Sequence, residues 1–340
     1  MDRLLILSVF SGAGGLDLGF RMAGFTPMLA IDIDPAAVAT YQHNHPGTRV
    51  ACMDLASASA QDLVLLWKKF AGSQRPVGVV GGPPCQAFSV ANTRQRHDDP
   101  RVYLLSRYVS TIETLKSAFD IDFFVFENVP GLLAARHRDR LTMLQRRCEE
   151  AGFKVCMAVV DAADLGVPQH RYRVIVAGAD ARRFPAFRLD TPPKCTHPLT
   201  VRDALDGLPE PAYYRRGLDP ARVPYHPNHV TMVPRSVRFK IGNLESDPNR
   251  RSFRVLEWDR PSYTVAFGHN EVHIHPRRHR RLSVFEAMLL QGFPEWYELK
   301  GTLTQQIAMV SNAVPPPVGA WVAREIARQL GYGALEVRAR

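Results

Sequence analysis

The chain has 340 residues, 46% hydrophobic and 22% charged, an ordinary balance for a globular enzyme with one large core and room for a smaller one. No apolar run approaches the roughly 20 residues that cross a bilayer. Met1-Asp2-Arg3, ahead of a short apolar strand, lacks the pattern of a secretory signal, so a cytoplasmic protein without membrane association is expected. The five cysteines (Cys52, Cys85, Cys148, Cys156 and Cys195) are scattered, with no C-x-x-C pair, which argues against a disulfide framework or a metal site. Formal net charge is +10, which points toward a polyanionic partner.

Strands are predicted over Leu4–Phe10, Pro27–Asp32, Arg49–Asp54, Val77–Gly82, Phe123–Asn128, Phe153–Val160 and Arg173–Gly178. Helical stretches alternate with them at Leu16–Met22, Pro35–Asn44, Gln61–Phe70, Val102–Phe119 and Leu141–Ala151. This alternation defines an α/β protein with a Rossmann-like, doubly wound, mostly parallel sheet. It stops near Ala179. A helical pattern resumes at Ser283 and ends at Gly292-Phe293-Pro294, and a last helix is expected over Pro317–Leu330.

The intervening Phe184–Leu282 carries 17 Lys and Arg against 10 Asp and Glu, hence +7 of the +10, together with 7 of the 12 histidines and 13 of the 26 prolines. That composition suits a loop-rich second domain facing phosphates. The expected organisation is a catalytic and cofactor-binding domain over 1–183 plus 312–340, an inserted domain over 184–282, and a hinge with connecting helix over 283–311.

Chemistry concentrates at the strand ends. Phe10-Ser11-Gly12-Ala13-Gly14-Gly15 is a glycine turn between strand and helix that lets backbone approach a ligand. Its spacing is not the G-x-G-x-x-G of dinucleotide binders. Asp32 ends the second strand, where a carboxylate can accept from ribose hydroxyls, and Asp54 ends the third; acidic groups at this rim suit an adenosine bearing an amino-acid tail and repel a polyphosphate. After the fourth strand, Gly81-Gly82-Pro83-Pro84-Cys85-Gln86 presents a thiol outward on a stiffened loop. Arg94, Arg96, His97 and Arg101 follow in a polar stretch suited to closing over a substrate. Glu127, after four apolar residues, is a partly desolvated carboxyl fit to act as acid or donor. In Gln169-His170-Arg171-Tyr172-Arg173 the alternation of an extended chain lets both arginines point at one carboxylate or base.

These segments, with Arg281-Leu282-Ser283 to Gln291-Gly292-Phe293-Pro294 and Ser311-Asn312-Ala313-Val314, resemble in content and order the C5-cytosine DNA methyltransferases of bacterial restriction-modification systems, over nearly all the chain outside the basic segment. The resemblance implies a class I methyltransferase fold using S-adenosylmethionine, with S-adenosylhomocysteine as product and no metal. It implies Cys85 attacking C6 of a flipped-out cytosine, Glu127 holding N3, and Arg173 bracing Glu127 with Arg171 nearby. Cofactor contacts carried over are Phe10, Gly12, Gly14, Asp32, Asp54, Pro84, Leu104 and Asn312. Double-stranded DNA would meet the target-recognition segment and the reactive loop, with Gln86, Ser89, Arg94, Arg96, Arg250, Arg251, Arg254, His269, Asn270, Arg277 and Arg278 as candidates. A monomer is expected, alongside a restriction endonuclease that shares the recognition site without binding this chain. Ser311 departs from the family's usual glycine in a loop expected near cofactor and hinge. A tRNA methyltransferase of the same fold and a catalytically silent binding module are the competing readings.

Overall fold

Short β-branched and aromatic runs separated by amphipathic stretches bury their apolar faces together only as a sheet covered by helices. The structure, a computed structural model, describes residues 3–84, 100–240, 244, 253–264 and 273–333. The chain forms two units, one of Met1–Val160, Tyr172–Pro192 and Val318–Arg340, the other of Asp161–Arg171 and Pro193–Pro317. Residues 161–171 and 283–317 therefore group with the basic segment, whereas the expected boundaries fell at 183/184, 282/283 and 311/312.

The first unit alternates β1 (Leu5–Val9), α1 (Gly15–Met22), β2 (Thr26–Asp32), α2 (Pro35–Asn44), β3 (Arg49–Cys52), α3 (Ala60–Ala71), β4 (Gly78–Gly81), α4 (Pro100–Phe119), β5 (Phe123–Asn128), α5 (Arg138–Glu150), β6 (Phe153–Asp161) and β7 (Tyr172–Asp180). Local chemistry sets the helix starts. Asp34 accepts from the Ala36 amide at 2.9 Å ahead of Pro35, and Ser59 with Asp62 forms a capping box before α3. The sheet order is β3-β2-β1-β4-β5-β7-β6. β1 pairs parallel with β2 and β4, β2 with β3, and β4 with β5, but β7 runs antiparallel to β5, with Glu127 opposite Ile175 and Asn128 opposite Val174. Strands β4 and β5 are buried throughout, the continuous apolar burial expected of strands covered on both faces. Each large side chain buried there contributes about 1.5–3 kcal/mol.

Two glycines pay for nothing by flexibility; they are there for space. A Cβ on Gly78 would lie 2.5 Å from the Phe123 ring, and one on Gly81 would collide with the Val9 carbonyl and come within 2.8 Å of Tyr108. The Tyr108 hydroxyl donates to the Val125 carbonyl at 2.6 Å, which ties α4 to β5.

The second unit is built from short elements: α6 (Val201–Leu205), β8 (Ala212–Tyr213) paired parallel with β9 (Val230–Thr231), α7 (Val237–Lys240), β10 (Arg254–Val255) paired parallel with β11 (His273–Ile274), α8 (Val284–Leu290) and α9 (Leu303–Asn312). The last helix, α10 (Pro316–Gln329), belongs to the first unit from Val318 onward, and Gly319 approaches Leu16 so closely that a Cβ would lie 2.6 Å from its carbonyl oxygen. Two expectations are corrected here. The region before Ser283 is not wholly irregular, and Ser311-Asn312 is not a loop but the end of α9, a helix started by a Thr302–Gln305 capping box. Serine needs no unusual backbone there: Ser311 is not among the residues with positive φ, so the absence of glycine carries no strain.

The glycine at 81 yields a stability prediction. Gly81→Ala should destabilise the protein by about 1–3 kcal/mol, the usual cost of overpacking a filled core, read as a lower denaturant midpoint with unchanged slope. A wild-type midpoint would show that Val9 and Tyr108 yield freely.

Candidate active site

Parallel strands end together, so the loops after β1, β2, β3, β4 and β5 share the carboxyl edge of the sheet, where open α/β sheets bind ligands. The loop after β1 is wound tightly: φ is +53° at Phe10, +53° at Gly12 and +82° at Gly14. A Cβ on Gly12 would meet nothing within 4 Å, so this glycine serves the backbone turn and leaves open space beside it. The Gly12 amide donates to Asp32 Oδ2 at 2.7 Å and the Asp34 amide to Oδ1 at 2.9 Å. Burial raises the pKa of Asp32, the two amides oppose that, and the charge of Asp34 adds to it. Each carboxylate oxygen retains acceptor capacity. Ile33, next in sequence, is 60% exposed, an apolar surface beside that carboxylate and of a kind suited to a flat ring. Sequence reading passed it over, although an isoleucine directly after the strand-ending acid was the available signal. Asp54 lies two residues beyond β3, is exposed, and accepts from the Ala56 amide at 2.8 Å. Pro84 and Leu104, the latter within α4, are half-buried.

The reversal of β7 matters most. Its amino end lies at the carboxyl end of β5, so Arg173 reaches Glu127, with Nε 2.5 Å from Oε1 and both side chains one-tenth exposed. Arg173 Nη1 also donates to the Tyr172 carbonyl at 2.7 Å. The loop after β4 is held against the same place. Asn128 Nδ2 donates to the Pro83 carbonyl at 3.2 Å, and a Cβ on Gly82 would lie 3.7 Å from Glu127 Oε2. Cys85, Gln86, Ser89, Arg94 and Arg96 lie outside the described residues.

In the second unit Arg171 is almost fully buried, and its Nη2 donates to the Ser311 and Ala313 carbonyls at 2.8 and 3.0 Å. Gln291 Nε2 donates to Val310 and Ala313 carbonyls at 2.8 and 3.3 Å, and Gln169 Nε2 to Leu290 at 3.0 Å. A cation and an amide thus close the carbonyl end of α9, where helix dipole and orphan acceptors favour them. Asn312, the last residue of α9, is exposed.

The basic clusters are partly internal. Arg280 is 2% exposed and binds Glu286 through both terminal nitrogens at 2.8 Å and Glu210 through Nε at 2.8 Å. Burial would raise the Glu210 carboxyl, yet His279 and Arg280 outweigh it and hold it near 2. Arg280 is thus part of the unit's interior, next to the candidates Arg277 and Arg278. Arg277 is exposed but lies 3.6 Å from Glu210, Arg278 occupies an exposed turn at φ +62°, and Arg254 stacks over the Tyr263 ring at 4.3 Å. Arg250, Arg251, His269 and Asn270 lie outside the described residues.

A seven-stranded, mostly parallel sheet with an antiparallel β7, a glycine loop, a rim aspartate and a braced carboxylate define a class I methyltransferase-type enzyme. Among solved structures, the fold resembles that of a DNA modification methyltransferase encoded within an E. coli prophage (TM-score 0.74, 24% identity, 96% of this chain and 99% of that one). It also resembles Spodoptera frugiperda DNMT2 (TM-score 0.65, 17% identity, 96% and 99%). Curated relatives include the type II methyltransferases M.MthTI of Methanothermobacter thermautotrophicus, 31% identical over 96% of this chain and 97% of its own length, and M.NmeDI of Neisseria meningitidis serogroup C, 33% identical over 92% and 81%. The profile of the C-5 cytosine-specific DNA methylase family matches residues 4–328. The chain belongs to that family, and its enzyme class is DNA (cytosine-5-)-methyltransferase. No helix among the described residues is long and apolar enough to cross a membrane.

Beneath the glycine loop lies a buried acid. Asp17, in the first turn of α1, is fully buried and accepts from the Ser8 hydroxyl at 2.9 Å. Burial raises its pKa to about 7 against the opposing Ser8 bond. Between an unfolded value of 3.8 and about 7 the folded state holds a proton that the unfolded chain has released. The stability it contributes is complete below that range and is lost as pH rises to about 7. Asp17→Asn removes the titration. Its stability relative to wild type should therefore improve by about 2–3 kcal/mol from pH 5 to pH 8, measured by denaturant unfolding at both; a constant difference would show that Asp17 does not titrate in this window.

Proposed function

We propose that the chain transfers a methyl group to C5 of a flipped-out cytosine in a specific duplex DNA sequence, through a covalent Cys85–C6 adduct. We further propose that it acts as a monomer and protects DNA from a restriction endonuclease that reads the same site. The observation that carries this reading is the Glu127–Arg173 pair set beside Gly82 and Pro83, the start of the loop that ends in Cys85.

The rim fits S-adenosylmethionine. The turn of Phe10, Gly12 and Gly14 offers backbone and open space, Asp32 and Asp54 offer carboxylates and no site for a polyphosphate, and Ile33 offers an apolar face. Pro84, Leu104 and, by resemblance, Asn312 complete the set. When bound, this cofactor supplies an electrophilic methyl group on sulfonium.

The chain's own residues do the rest. A cytosine inside a duplex hides its C6, so the base must leave the stack, at a cost of a few kcal/mol. Cys85 as thiolate adds to C6, forming a carbon–sulfur bond and pushing the ring's electron pair toward C5. Glu127 holds a proton at N3, which accepts the displaced charge, and Arg173 keeps that carboxyl oriented. With C5 methylated, solvent takes the C5 proton, the carbon–sulfur bond breaks with its pair returning to Cys85, and aromaticity is restored. Arg171 acts at one remove, holding the end of α9 from which Asn312 projects.

Labelled-methyl transfer to duplex DNA, with tRNA as the competing substrate, tests the reading. Cys85→Ala should abolish transfer, and duplex carrying 5-fluorocytosine at the target should trap a covalent complex, because fluorine cannot leave as a proton does. Substantial turnover in the alanine variant would end the nucleophile assignment. Glu127→Gln keeps the shape and removes the ionisable proton, and single-turnover rates should fall by about 10²–10⁴; a wild-type rate across pH would remove Glu127 from the reaction.

A further inference from the structure

Several arginines of the second unit are held by carboxylates. Arg202, Arg222, Arg260, Arg277 and Arg280 each lie within 4 Å of a carboxylate. Arg215, Arg216 and Arg235 are exposed, and among the described residues none of the three forms an ion pair. Strands β8 and β9 set the segment that leads into Arg215 and Arg216 alongside the one that leads into Arg235: Ala212 pairs with Val230 and Tyr213 with Thr231, and the Tyr214 amide donates to the Thr231 carbonyl at 2.8 Å. Tyr214 and Arg235 then line one cleft of about 270 Å³, floored by Met232, Leu303 and Ile307. Tyr213 and Tyr214 are 44% and 46% exposed.

Where Arg202, Arg222, Arg260, Arg277 and Arg280 have a carboxylate at hand, Arg215, Arg216 and Arg235 present a full positive charge with no anion beside it among the described residues. Unpaired guanidiniums beside two exposed phenols are the groups that contact nucleic-acid backbones: the cation neutralises a phosphate and the hydroxyl donates to one. Resting on the proposed function, we infer that Tyr213-Tyr214-Arg215-Arg216 with Arg235 is a surface that grips the phosphates of the substrate duplex. Its contribution is sequence-independent affinity. It is separate from the candidates named in the sequence, of which Arg277 lies beside Glu210.

The test uses the full chain and fluorescently labelled duplexes of two unrelated sequences, with affinity measured across a range of salt. Arg215→Ala/Arg216→Ala should raise Kd on the order of tenfold on both duplexes and reduce the salt slope by about 2, near 0.9 per phosphate released. Arg235→Ala should reduce it by about 1. Arg260→Ala, which removes an equal charge from the Glu257 pair, should move neither. A double variant that melts like wild type and retains its Kd and salt slope overturns the surface; if the double variant does not fold, Arg235→Ala decides by the same slope. Methyl transfer by the wild-type chain is read separately. Transfer to duplex with unchanged slopes condemns the surface alone, whereas no transfer to duplex condemns the proposed function.

Discussion

The antiparallel insertion of β7 between β5 and β6 is the constraint on which the catalytic edge depends. In a fully parallel sheet the residue at the amino end of a strand lies at the far rim from the carboxyl end of its neighbour. Reversing one strand places the start of β7 beside the end of β5, and a carboxylate from one meets a guanidinium from the other. A bidentate-capable, planar cation holds a carboxyl in a fixed orientation better than an ammonium would. The pair is only one-tenth exposed, so removing one partner leaves a largely desolvated charge, a costly outcome.

Around that pair, close packing decides which backbone can approach which ligand. Gly78 and Gly81 make room for Phe123, Val9 and Tyr108, so β4 runs flush against its neighbours and delivers Gly82 and Pro83 beside Glu127. Asn128 fixes the delivery by donating to Pro83. On the other side, Asp32 spends its oxygens on Gly12 and Asp34 amides and so orders the glycine loop before any ligand arrives, lowering the cost of ordering on binding.

The second unit solves a different problem. With two-residue strands and few long helices it lacks extended backbone ladders, and buried side chains take their place. Arg280 and Glu286 join Glu210 to the start of α8, Asn228 exchanges two bonds with Leu299, and Gln291 and Arg171 close the end of α9. Positive charge is thereby divided between arginines that hold the unit together and arginines left at its surface.

Strand and helix succession, the glycine loop, the outward thiol loop and the order of motifs were legible in the sequence, because each follows from local periodicity, turn chemistry or short-range residue type. Pro35–Asn44 and Phe123–Asn128 were placed to the residue, since a proline-led cap and a run of buried aromatics act within one element. The reversed direction of β7, the interior fate of Arg280 and the helical backbone at Ser311 were not, and the Glu127–Arg173 contact was expected only through the family resemblance. Alternation along an extended chain suggested that Arg171 and Arg173 serve one carboxylate or base, yet Arg171 reaches the carbonyls that end α9, 140 and 142 residues away. Helix α9 also escaped notice, its capping box being read only once Thr302 and Gln305 are seen to close on each other. Sequence determines what each segment can form and what charges it carries; which charges meet, and which are buried in the meeting, depends on contacts between segments far apart in the chain, and only the tertiary structure decides those.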